Sequence, residues 1–107
     1  MAEFILVLVT ASNTDEAQEI AMKLINAGLA PCVNILSSCT SVYQWKGEVR
    51  TDDEVLMVIK SRKDLFDELQ ALVKAAHSYD VPEILAVELT RISDEYAGYL
   101  GGFLSEG

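Results

Sequence analysis

The chain has 107 residues, half of them hydrophobic, which suits one domain with a real core and leaves no room for a second. Eight Lys and Arg stand against 17 Asp and Glu, a formal net charge of −9. That balance repels phosphate backbones and anionic lipid, so it argues against nucleic acid and membrane surfaces as partners.

FILVLV (4–9) is a continuous run of β-formers and reads as a strand covered on both faces. It is far too short to span a bilayer. It follows the acidic Glu3 rather than a basic segment, and no small-residue cleavage site follows it. The expectation is therefore a cytoplasmic protein. Asn13 with Glu16 three residues later opens a helix in the manner of a capping box. Ala17, Ile20, Ala21, Leu24 and Ile25 carry its apolar face over 14–27, and Gly28 stops it.

Residues 30–36 form the next strand, with Pro31 near its start. SSCT (37–40) predicts a kink, TSVYQWK (40–46) resumes the strand, and Gly47 turns the chain back into EVRTDDEVLMVIK (48–60). The result is a long hairpin with both arms interrupted, near 37–39 and near 51–53. DDE (52–54) could attract a hard cation, but no EF-hand spacing accompanies it, so it reads as a solvated strand break. A second helix covers 61–77, capped by Ser61 with Asp64, its face made by Leu65, Phe66, Leu69, Leu72, Val73 and Ala76. Pro82 ends that register. In EILAVELTRI (83–92), Leu85, Val87 and Leu89 share one face and Glu88 and Thr90 the other, a strand covered on one side. Residues 93–104 have helical spacing weakened by three glycines.

The order β-α-β-β-α-β plus a tail predicts an α+β, ferredoxin-like split-βαβ sandwich, with residues 1–107 as a single domain. The hairpin carries Tyr43 and Trp45 beyond the length two helices can cover. A ribbon with exposed aromatics is a liability in a lone copy, and pairing with other copies removes it. The alternative is that Trp45 folds back onto its own sheet.

HSYDVPEI (77–84) holds the chain's one histidine. Imidazole suits Cu and Zn, which makes His77 a candidate metal ligand. The reading favoured over a dedicated metal site is a helix C-terminal residue bonding free carbonyls. Cys32 and Cys39 are soft donors for Cu(I). Cys32 in PCVNI reads as core, and Cys39, at the kink, as the exposed thiol available to metal. A C-x6-C spacing matches no zinc or redox motif, and in extended chain it separates the thiols by about 20 Å. Lys60 and Glu83 abut apolar runs. With Tyr43, Trp45 and Tyr79 they would either line an inter-subunit cleft or form an interface network. The loop TASNTDE (10–16) lacks the cation and glycines of a phosphate cradle, and no Ser/His/Asp order or acid–base pair is visible. The expectation is a protein that is not an enzyme.

CVN (32–34), SVYQWKGE (41–48), the strand from Glu54 to Lys60 and HSYDVPEI occur in this order and spacing. Together they resemble the CutA-type divalent-cation tolerance proteins, over Phe4 to about Leu100. The resemblance implies a tight homotrimer with hairpins paired between subunits, and a non-catalytic role in tolerance of divalent ions such as copper, by direct binding of Cu(II) or another divalent cation. It also implies likeness to PII-type trimers, and so an alternative: a sensor holding a small ligand at inter-subunit clefts. Some members offer a cysteine ending the first strand and two adjacent histidines as a copper site. Here the matching positions are Val9 and Ala76, and only His77 remains. Ser78 stands where the family usually has Pro, and Tyr99 where it usually has Trp.

Overall fold

The computed structural model describes residues 3–104. Four strands, β1 (Phe4–Ala11), β2 (Cys32–Trp45), β3 (Glu48–Arg62) and β4 (Ile84–Glu88), form one antiparallel sheet in the order β2-β3-β1-β4. Three helices accompany it: α1 (Thr14–Asn26), α2 (Phe66–Ala76) and α3 (Asp94–Leu104). This is the split-βαβ arrangement expected from the element order.

The main core lies on one face of the sheet, and Leu100 and Leu104 of α3 are buried outside it. Directly paired residues of antiparallel strands share a face. Val7 pairs with Ile59 and Val9 with Met57, and all four are fully buried. Against them pack Ala17, Ile20, Ala21 and Leu24 of α1 and Leu69 and Val73 of α2. α1 is capped as its sequence predicts, the Glu16 amide donating to Asn13 Oδ1 at 2.8 Å.

The opposite face is apolar and largely uncovered. Leu6, Leu8, Leu56 and Val58 are half-buried there, and Leu36, Leu85 and Val87 are 48%, 54% and 52% exposed. Among the described residues only α3 crosses this face, at the Phe4 end, where Tyr99 donates to the Pro31 carbonyl at 3.2 Å. Two expectations change accordingly. β1 is sealed by helices on one side, not two. The apolar side of β4 is its open side, because Leu85 and Val87 pair with Leu8 and Leu6 of the uncovered face.

The hairpin runs out from the body and stretches the molecule to 44 × 26 × 22 Å. Lys46 (φ 52°) and Gly47 (φ 81°) make a two-residue turn with both φ positive, the type I′ geometry that matches strand twist. The kink expected near 37–39 is a β-bulge between Leu36 and Cys39, with Ser38 at φ 64°. The second interruption does not exist: β3 is continuous, and DDE lies within it. The bulge has a large consequence. It shifts the alternation of β2 by one, so Cys39, Ser41, Tyr43 and Trp45 join the face of Leu36 and pair with Glu54, Asp52, Arg50 and Glu48.

The second helix starts later than its pattern suggests. Ser61 and Arg62 still pair with Ile5 and Phe4, a 3-10 turn occupies Lys63–Leu65, and α2 begins at Phe66. Ser61 caps no helix. It is buried and donates from Oγ to the Leu29 carbonyl at 2.7 Å.

Leu69→Ala should cost about 2–5 kcal/mol, since it empties a fully buried site between α2 and the sheet. Met22→Ala, on the exposed side of α1, should change stability by less than about 0.5 kcal/mol. Urea unfolding of both variants checks the one-sided core.

Candidate functional site

A cleft of about 630 Å³ lies between the hairpin and the chain linking α2 to β4. One wall comes from the hairpin: Tyr43, Trp45, Arg50, Asp52 and Glu54. The other comes from Tyr79, Asp80, Val81 and Glu83, with Thr10 at the floor. The bulge puts the hairpin side chains there, and the bent segment over 78–81 carries Tyr79, Asp80 and Val81 opposite them.

Two tyrosines are tied to carboxylates across the strands. Tyr43 donates to Asp52 on the neighbouring strand, and Tyr79 donates to Glu54 Oε2 at 2.7 Å, bridging the two walls. The hydrogen bond to Asp52, with slight desolvation, raises the Tyr43 phenol. Burial and the Glu54 carboxylate together push Tyr79 well above the ordinary tyrosine range. Both remain neutral donors at physiological pH.

His77 closes α2 and uses both ring nitrogens internally. Nε2 lies 2.7 Å from the Thr10 carbonyl, which can only accept, and the Tyr79 amide donates to Nδ1 at 3.0 Å. The neutral ring protonated on Nε2 satisfies both contacts at once. The ring also packs on Tyr79 at 4.6 Å between centroids. His77 therefore bonds the carbonyl of a strand, rather than those of its own helix, and positions the cleft wall that carries Tyr79.

Residues 5–102 match the family model described as CutA1 divalent ion tolerance protein. The chain belongs to that family. It is 42% identical over 96 residues to the chloroplastic CutA protein of Arabidopsis thaliana, covering 90% of this chain and 53% of that one. It thus spans about half the length of the plant proteins it matches. It superposes on the crystal structure of CutA1 from Oryza sativa with a TM-score of 0.93 and 40% identity, covering 98% of this chain and 96% of that chain. For the periplasmic CutA of Archaeoglobus fulgidus the TM-score is 0.89 at 35% identity, covering 97% and 99%. The cytoplasmic expectation is overturned by these relatives, which are chloroplastic in one case and periplasmic in the other.

Four of the residues singled out in the sequence, Tyr43, Trp45, Tyr79 and Glu83, meet in the one cleft. Lys60 does not. It lies six residues along β3 from Glu54, about 20 Å away at strand spacing, with its ammonium 3.9 Å from Cys32 Sγ. Cys32 is half-buried on the open face of the sheet, not in the core, and Cys39 is half-buried at the bulge. Both thiols are free. Among the described residues, no three of His, Cys, Asp and Glu come together as a metal set. The positions tied by resemblance to copper are packing positions: Val9 is fully buried and Ala76 packs against the core.

The sequence pattern does not group Arg50, Asp52 and Glu54 with the cleft, because DDE (52–54) resembles a solvated strand break. Counting back across the turn at Gly47 pairs Arg50 with Tyr43 and Asp52 with Ser41, which is the signal that would have found them. Glu16 also does more than cap α1. Its Oε1 accepts from the Ser12 amide and hydroxyl at 3.0 and 2.9 Å, and its Oε2 accepts from the Ser78 amide at 2.8 Å. The departure from the family's usual proline supplies this donor, since proline has no N–H.

Burial would raise the Glu16 carboxyl, but the bonds from Ser12 and Ser78 outweigh it and hold the group at about 2. A carboxyl depressed in the folded state stabilises the fold above its unfolded value, here about 4.5, and that stabilisation is lost as pH falls through about 2. Glu16→Gln should therefore be less stable than wild type at pH 7, with the difference closing between about pH 4.5 and pH 2. Ser78→Pro should shrink the same difference by removing one donor. Urea midpoints across that range measure both.

Proposed function

We propose that the chain serves divalent-ion tolerance as a non-catalytic homotrimer, whose functional site is the cleft under the hairpin, filled by a small ligand and closed by a neighbouring copy. The observation that carries this reading is the continuity of the cleft with the uncovered apolar sheet face. Leu36 and Leu56 adjoin Cys39, Glu54 and Thr10, so one body laid over Leu85, Val87 and Leu36 would also roof the cleft. A heterologous contact, in which the projecting ribbon of one copy covers the apolar patch of the next, closes into a ring and leaves no free edge. A volume of about 630 Å³ is in the range of small-molecule sites. The family description names ion tolerance and no reaction, which supports a role without catalysis. The engagement of both His77 nitrogens favours ligand binding in the cleft over direct capture of Cu(II) by His77 and Cys39.

One observation favours a second reading, direct binding of a divalent cation in the cleft. Asp52, Glu54, Asp80 and Glu83 all bring oxygen donors to its lining, hard donors that favour Mg²⁺ or Mn²⁺ over Cu(II), although among the described residues no three of them converge as a ready-made ligand set.

Leu85→Glu should convert the assembly to single chains, read by light scattering behind size exclusion, with helix and strand content unchanged. An unaltered mass would show that this face is not the contact. Calorimetry with MgCl2 and CuCl2 on wild type, His77→Ala and the double variant Asp80→Asn/Glu83→Gln separates the two readings. No stoichiometric heat in wild type is expected for a ligand cleft. Binding lost in the double variant would establish the second reading, and binding lost in His77→Ala would restore His77 as a ligand.

A further inference from the structure

We infer that the ligand of this cleft is a small organic cation, an alkylammonium compound held jointly by aromatic faces and carboxylates. The inference rests on the cleft reading above and names its ligand class. Tyr43, Trp45 and Tyr79 all line the recess. The face of an aromatic ring is the negative end of its quadrupole and attracts an ammonium group within about 6 Å. Trp45 already does so: the Lys46 ammonium stands 6.0 Å from its ring centroid. The indole can accept the same group from a ligand.

The charges point the same way. Asp80 and Glu83 line the far wall, and among the described residues neither makes a hydrogen bond or ion pair. Asp52 and Glu54 stand behind the tyrosine hydroxyls that they accept, adding negative potential to that side. Arg50 is the single cation that this chain brings to the lining. From this chain a dicarboxylate or phosphate would face four carboxylates for one guanidinium, and the low-dielectric walls of a cleft strengthen that repulsion. A bare divalent ion fits less well, because no three of these groups converge as ligands and the recess is large for one ion. An alkylammonium chain uses the remaining features too, since Val81 and the ring faces cover its methylenes.

Trp45 is the chain's one tryptophan, so its emission reads the cleft directly. The full chain is titrated with spermidine, with MgCl2 and with sodium citrate at constant ionic strength. The expected result is a saturable change with spermidine alone, weakened roughly fivefold or more in Asp80→Asn/Glu83→Gln, whose positions are exposed and outside the core. Saturation by citrate or MgCl2 without spermidine would overturn the ligand class and leave the cleft reading standing. Spermidine binding untouched by the double variant would mean diffuse attraction to an acidic surface, and overturns the inference. Silence from all three probes overturns it as well, and counts against the cleft as a site.

Discussion

The constraint from which the rest follows is that α1 and α2 cover one face of the sheet and nothing of comparable size covers the other. On the covered side, Val7, Val9, Met57 and Ile59 are sealed by the helices. On the other, Leu36, Leu85 and Val87 keep about half their surface in water. Each Leu or Val fully removed from water contributes about 1.5–3 kcal/mol, a driving force large enough to favour a second body on that face. α3 answers only part of it, packing near Phe4 and tying itself to Pro31 through Tyr99.

The same face becomes chemically interesting through one extra residue. Without the bulge at Ser38, strict alternation would send Tyr43 and Trp45 to the far side of the ribbon, opposite Leu36. With it, they stand beside Arg50, Asp52 and Glu54 and look toward Tyr79. The other wall is fixed from the core side. Glu16 holds the Ser78 amide, His77 holds the Thr10 carbonyl and the Tyr79 amide, and Tyr79 reaches Glu54. Hydrogen bonds joined through the backbone of residues 77–79 thus tie the first turn of α1 to the hairpin, and the histidine among them acts as a strut.

Much of this was legible in the sequence. Hydrophobic periodicity gave the helices, the asparagine and glutamate at 13 and 16 gave the start of α1, and Gly47 gave the turn. Of the five residues that the sequence groups at one cleft or interface, Tyr43, Trp45, Tyr79 and Glu83 line the same recess. What failed did so for identifiable reasons. Ser61 resembles a helix cap, yet backbone pairing with Ile5 holds it in β3. Leu85 and Val87 mark an apolar face without saying which side of the sheet carries helices. Lys60 shares a strand with the cleft residues but sits too far along it. The Glu16–Ser78 contact spans 62 positions, and no local pattern announces it.

Sedimentation equilibrium of the wild-type chain at micromolar concentration is the most direct measurement of whether the bare sheet face is covered by other copies. A single species with the mass of three 11.7 kDa chains is the expected result. A stable species of 11.7 kDa, soluble and folded with Leu85 and Val87 facing water, would contradict it.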